Sequence, residues 1–436
     1  MMRYKVFQTK EGIRVVSEYC KDIKGIIFQL NFYAGALNDP KGKAGLAHFC
    51  EHALMSFSTK NHTRKERNDN LKKYHYYNAY TSRFGSGFFI MTTPDKIDSA
   101  VDCLTEGFSD LQYTQENFDL EYKIISDEIN TIKLQNSMLC QWAYHKNFTK
   151  NKEYKNFRYS FAGDIQSLQN IKLKDVKDFI EKYYNTNNVT VNVVGNISPK
   201  EIEKLISKYI YPRLNKGGEQ GFKIKDHLGY KPSGFVFEKA VEPNQCFIQI
   251  EYKIIDFVAK ENYNRDWYLE NRIISHILYN YSTTYFRTKK GLCYSCDCSI
   301  NQKSDGIYLK FSIACQEDNM LKVIEEYPAF IKGMVENFTQ ESFQNAKDIY
   351  ASSINFDYND LMGRASSNYR QYDVFGYLLG DKEAKHDEEF IKNYSYDEAL
   401  ERVKQIANKK PAMVIVSNND FSNFDFKEFC KKIMVK

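Results

Sequence analysis

Two imidazoles and a carboxylate fall within five residues in His48-Phe49-Cys50-Glu51-His52. On an α-helix, His48 and His52 stand at i and i+4, on one face and about one turn apart. Two imidazoles so placed can reach a single Zn2+ at roughly 2.0–2.1 Å. Glu51 lies on the neighbouring side of that face, where a carboxylate reaches a metal-activated water rather than the metal. The order is H-x-x-E-H. With 8 histidines in 436 residues, chance would produce it about 0.01 times in the chain.

A structural zinc takes four protein ligands, whereas a catalytic zinc takes three and keeps a position for water. The third ligand must come from another segment. The helical stretch 118–135 offers Glu121 and Glu128. Seven residues at about 100° each bring the two carboxylates to within about 20° of one another, two turns apart. Glu128 can therefore be the third ligand and Glu121 a supporting group beside the same site. Ile124, Ile125, Ile129 and Ile132 spread round this helix and imply burial, which makes carboxylates costly unless they are paired or metal-bound.

The elements that must hold these groups are legible in outline. Arg14–Val16 and Ile26–Phe32 read as strands, with a loop over 34–43 and a helix from Gly45 to about Phe57. The charge run 60–73 reads as a solvated loop or exposed helix. Residues 76–93 are strand-like with a Gly-Ser-Gly interruption, and helical periodicity dominates 97–143 and 171–184. Val189–Val194 is a buried strand, followed by a helix from about Pro199. A Gly-rich, charged stretch over 213–233 is the best linker, dividing a first domain, 1–212, from a second, 234–436. Each half closes on helix, strand, loop and helix. This indicates a duplicated α+β domain, with an antiparallel-rich sheet packed by helices in each half.

Composition excludes several classes. Lys+Arg is 61 against Asp+Glu 56, for a net charge of +5, too balanced for a chain built to coat nucleic acid or an anionic membrane. No apolar run reaches the roughly 18 residues of a membrane span, and the first residues carry no secretory signal pattern. Ten cysteines are too dilute for a disulfide scaffold, so reduced thiols and a cytoplasmic location are expected. Cys293, Cys296 and Cys298 lack a partner pair at zinc-finger spacing and read as small strand residues. The remaining histidines show no ligand spacing.

The segment AGALNDPKGKAGLAHFCEHALM resembles the signature of the inverted-zincin (pitrilysin) family of zinc metallopeptidases. That family includes insulin-degrading enzyme, the mitochondrial processing peptidase and short bacterial members. Its H-x-x-E-H is followed some 75 residues later by a ligand Glu, with another Glu seven residues earlier; here 75 residues separate His52 from Glu128, and Glu121 falls seven before it. The resemblance implies His48, His52 and Glu128 as Zn2+ ligands and Glu51 as general base. Asn78-Ala79-Tyr80-Thr81 resembles the family strand whose edge pairs with a bound peptide. Arg287 and Tyr294, in RTKKGLCY, resemble the family's R-x6-Y element, which grips the substrate backbone and stabilises the oxyanion. Two departures stand out: Cys50, where relatives carry a larger apolar residue, and Ser56–Thr59, where many carry Gly-Thr. The implied activity is zinc-dependent endopeptidase cleavage of unfolded, leader or precursor peptides. It would take place in a chamber formed with a second homologous unit, as a homodimer or a heterodimer. The alternatives are a non-catalytic partner subunit of the same fold, or an unrelated module with a structural zinc.

Overall fold

β-branched and aromatic runs become strands, because such side chains pack well on a pleated, half-buried surface. The computed structural model describes residues 3–434 except 151–160, 222–228, 242–244, 257–264, 304, 358–359, 376–377 and 379–380. In the first unit, β1 (Tyr4–Gln8), β2 (Arg14–Tyr19), β3 (Ile26–Phe32), β4 (Tyr76–Thr81), β5 (Ser86–Thr92) and β6 (Val189–Gly195) form one sheet in the order β1-β2-β6-β3-β5-β4. Only β2 and β6 run parallel. In the second unit, β7 (Gly234–Lys239), β8 (Gln245–Asp256), β9 (Ser295–Lys303), β10 (Gly306–Gln316) and β11 (Ala412–Ser417) order as β7-β11-β8-β10-β9. Only β7 and β11 run parallel there. With β1 set aside the two orders correspond strand for strand, which is the duplication expected from the sequence. β4 and β9 are the matching outer strands.

Contacts divide the chain less simply than the linear domains 1–212 and 234–436. One unit comprises Met1–Asn130, Tyr159–Ile224 and Phe356–Asp381; the other comprises Thr131–Arg158, Lys225–Asn355 and Lys382–Lys436. Each sequence half thus gives a helix to the opposite unit. The helix Leu361–Phe375 lies on the first sheet, where Leu361, Met362 and Ala365 pack with Ile27, Phe89 and Val194. There Arg364 pairs with Glu18 of β2, and Asn368 donates to the same carboxylate at 2.9 Å. The helix Asn136–Phe148 lies on the second sheet, with Asn136 Nδ2 donating to the Gln245 carbonyl at 2.6 Å. Pro and Gly mark local chain breaks, whereas this exchange depends on distant pairing that they do not encode. Part of the expected linker, 222–228, lies outside the described residues.

The helices that frame the site are α1 (Leu46–Ser56), α2 (Arg64–Leu71), α3 (Ile97–Thr105) and α4 (Gln115–Lys133). α1 starts where expected, for a steric reason. Gly45 has φ +94°, and a Cβ there would stand 2.4 Å from the Ala162 carbonyl oxygen. Asp39 then satisfies the opening of the helix, accepting from Gly45 N at 2.7 Å and Ala47 N at 2.8 Å. Phe49 of α1 stacks on Phe118 of α4 at 4.8 Å, which fixes α4 against the histidine helix. No described helix is long and apolar enough to cross a membrane.

Candidate metal centre

His48, His52 and Glu128 converge. Each offers one donor atom, and these atoms lie within 4.8 Å of one another. Glu128 Oε2 stands 3.5 Å from His52 Nε2 and 3.7 Å from His48 Nε2. A tetrahedral ion with bonds near 2.0–2.2 Å requires ligand atoms about 3.3–3.5 Å apart, so this donor set fits Zn2+. Among the described residues it is the one cluster of this kind. Cys293, Cys296 and Cys298 form no such cluster; all ten cysteines are free, and Cys293 precedes β9, which holds the other two.

The two histidines are held differently. His52 Nδ1 sits 2.9 Å from Glu121 Oε2, a contact that leaves its Nε2 directed at Glu128. His48 Nδ1 is buried without a partner among the described residues. Burial, and then the neighbouring His52, lower the His48 pKa to about 4. Burial also pulls on His52, but the carboxylates of Glu121 and Glu128 outweigh it and raise its pKa to about 9. Glu128 is held below its ordinary value, first by its contact with His52.

Glu51 is buried on α1, and Thr81 Oγ1 donates to its Oε2 at 2.6 Å. Burial raises its pKa to about 6, against the lowering pull of that hydrogen bond. The isoleucines of α4 are less uniformly buried than their spacing suggested. Ile125 and Ile129 are in the core but Ile124 is exposed. The two carboxylates differ accordingly, since the Glu121 side chain is 1% exposed and that of Glu128 37%.

Asn78, Ala79 and Tyr80 lie on β4, which pairs with β5 alone among the described residues. The Tyr80 ring folds back over Gly87, where a Cβ would stand 2.4 Å from a ring carbon, and its hydroxyl donates to Asn31 Oδ1 at 3.0 Å. Among the described residues no strand pairs with the outer edge of β4, where Ala79 N donates to Asn78 Oδ1 at 2.9 Å. Arg287 lies exposed in the π-helical turn Thr283–Lys289, and Tyr294 is half-exposed just before β9. Both belong to the second unit, whereas the donor cluster, Glu51, Glu121 and the β4 edge all belong to the first.

Three residues in contact with the site gave no sequence signal for their part in it. Thr81 holds Glu51, while Ser56 and Arg64 both donate to Glu121 Oε1. Arg64 and Arg67 fall in the charge run expected to be solvated. Instead Arg67 is buried, and its guanidinium donates to the Leu54 and Phe57 carbonyls at the end of α1. Only the capping box Thr63–Glu66 marked a helix start here.

With this geometry in view, residues 14–159 match the family profile described as Insulinase (Peptidase family M16), and residues 170–350 match that described as Peptidase M16 inactive domain. The chain belongs to the M16 peptidase family. It is 29% identical over 202 residues to the Helicobacter pylori zinc protease PqqE, a match covering 46% of this chain and 45% of that protein. It is 19% identical over 432 residues to an uncharacterized zinc protease of Rickettsia bellii, covering 97% and 99%. The fold is shared with the periplasmic protease PqqL from Escherichia coli, with TM-score 0.76 and 14% identity, over all of this chain and 50% of that one. As an M16 member the chain is zinc-protease-like in fold and family.

Proposed function

We propose that this chain is a zinc-dependent endopeptidase acting on unfolded peptides, including leader or precursor peptides. One observation carries the reading: the triangle of His48, His52 and Glu128 donors beside the buried carboxylate of Glu51. A zinc ion bound there supplies the Lewis acid that activates water and polarises a carbonyl. The chain's own groups do the rest. Glu51 takes the proton of the attacking water and returns it to the leaving amine. Thr81 Oγ1 holds one Glu51 oxygen and so orients the other. Glu121 keeps the His52 proton on Nδ1. The free edge of β4 at Asn78, Ala79 and Tyr80 receives an extended peptide by main-chain pairing. Arg287 grips the substrate backbone, and Tyr294 stabilises the oxyanion. Pairing along β4 needs a segment free to lie extended over several residues, so the substrates are unfolded. Two homologous chains, as a homodimer or a heterodimer, make the working assembly.

The test is direct. Purified protein should carry about one Zn2+ per chain, cleave an unfolded peptide library and stop when the metal is chelated. Glu51→Gln should keep fold and metal and lose at least about 100-fold in rate. Cleavage by that variant at the parental rate rejects the mechanism.

A second reading is a non-catalytic subunit of a heterodimeric peptidase of the same fold. The inactive-domain profile over 170–350 favours it. That span begins after His48, Glu51, His52, Glu121 and Glu128, so it contains none of these five residues. Metal uptake with no cleavage, and activity appearing only with a homologous subunit, would select this reading.

A further inference from the structure

Glu121 presents a physical problem that its neighbours solve. Its carboxylate is almost wholly buried, and a buried carboxylate is costly unless both oxygens are satisfied. Oε2 meets His52 Nδ1. Oε1 accepts from the guanidinium of Arg64, the first residue of α2, and lies against the hydroxyl of Ser56, the last residue of α1, whose one proton it shares with the His52 carbonyl, 2.7 Å from that hydroxyl. Arg64 stands on a fixed platform. Its backbone N donates to Ser58 Oγ at 3.1 Å, and the Thr63–Glu66 capping box sets the start of α2. A carboxylate gripped at one oxygen by a guanidinium on such a platform, with a hydroxyl beside it, is restrained from swinging, and the direction of its other oxygen is set with it. The ring of His52 is fixed with it, and His52 Nε2 is aimed at Glu128. Among the described residues, His48 Nδ1 has no such support. Of the two imidazoles, His52 is the anchored one.

We infer that Arg64, assisted by Ser56, is a positioning residue for the metal centre, acting through Glu121 on His52. The inference rests on the zinc reading above. It concerns how firmly this chain holds the ion rather than which residues touch it, and it gives the charge run 60–73 a task.

Zinc dissociation constants of the full-length protein, measured by competition with a chromophoric chelator, test it together with the visible spectrum of the Co2+-substituted protein. Arg64→Ala should weaken zinc binding about 10- to 100-fold and shift the Co2+ bands. Arg64→Lys, which restores the charge but not the planar fork, should recover part of that loss. Ser56→Ala should give a smaller loss at nearly unchanged volume, which keeps the test open if Arg64→Ala fails to fold. Because Arg64 works through Glu121, the double variant Arg64→Ala/Glu121→Gln should bind zinc within about twofold of Glu121→Gln alone. Equal affinity and equal Co2+ spectra in wild type and Arg64→Ala overturn the inference while leaving the metal reading intact. An Arg64→Ala loss that persists undiminished in the Glu121→Gln background overturns it too. A wild-type protein that takes up no zinc overturns the metal reading and this inference with it.

Discussion

Two helices hold corresponding places in the two sheets, and among the described residues only one carries a cluster that could hold a metal. α1 runs beside the outer strand β4, and the helix Arg265–Ser282 runs beside the outer strand β9. Where α1 presents His48 and His52 at i and i+4, the second helix presents Arg272 and His276 at the same spacing, facing a cleft of about 430 Å3. Where α4 brings Glu121 and Glu128, the helix Gln340–Asp357 brings Ile349 and Tyr350. The Arg272 guanidinium stands over the Tyr350 ring at 5.6 Å, a cation–π contact. Burial and then Arg272 lower the His276 pKa. The second cleft thus already contains a cation, and although Asp297 and Cys298 line it with His276, these groups do not converge into a metal-holding cluster among the described residues. The difference shows that the repeated backbone supplies a place, a helix face beside a free sheet edge. Whether that place holds a metal depends on three or four side chains.

Exchanging side chains in the two places should therefore have unequal consequences. The largest effect is expected at the donor set: His48→Ala should lower zinc affinity by more than the roughly 100-fold limit of a supporting residue and abolish peptide cleavage. His276→Ala should leave both within about twofold. Metal titration of the two variants side by side decides it, and equal losses would erase the distinction drawn above.

Next comes the attachment of the helix Leu361–Phe375 to the first sheet. Glu18 is 2% exposed and is paired with Arg364. Glu18→Ala leaves that guanidinium without its carboxylate and should cost about 3–5 kcal/mol in urea unfolding. Burial pushes the Glu18 pKa up, but Arg364 and Asn368 outweigh it and hold the group below its ordinary value of 4.5. The stabilisation is therefore fully present above about pH 4.5 and fades as pH falls through the lowered folded-state value. The stability gap between wild type and Glu18→Gln should narrow on acidification from pH 7; a gap that widens contradicts the pairing.

A smaller change is expected at Thr81. Thr81→Val removes the donor to Glu51 at similar volume and should reduce kcat/KM about tenfold with zinc binding unchanged, as befits a hydrogen bond to a charged group. Loss of metal in this variant would move Thr81 from orienting the base to building the site. The smallest effect belongs to the second cleft. Arg272→Ala should lower stability by about 1 kcal/mol or less and leave zinc affinity unaltered. Thermal unfolding and metal titration of that variant test the claim that the second place is structurally independent of the metal.

Much of this could be read in advance. The histidine helix, β2, β3 and β6 fall where periodicity put them, because hydrophobic spacing is a local property. The separation of Glu121 and Glu128 indicated a shared helix face, and the structure brings both to His52. Arg64 and Arg67 were misjudged for the opposite reason. A run of charges looks solvated when read along the chain, but one guanidinium reaches a buried carboxylate on α4 and the other the carbonyl end of α1. Exposure of Ile124 was likewise invisible, because periodicity shows which residues share a face but not which faces are covered.

By itself the sequence determined the composition of the donor set, the spacing that places two imidazoles on one helical turn, and the repeat of strands and helices. These are consequences of residue type and of periods of 2 and 3.6, which need no partner segment. Only the tertiary structure decided that Glu121 is locked between Ser56, Arg64 and His52, that Thr81 holds Glu51, and that each half gives a helix to the other's sheet. Those outcomes depend on which distant groups meet when apolar faces are buried, and on the need of every buried charge for a partner. Neither can be read along the chain.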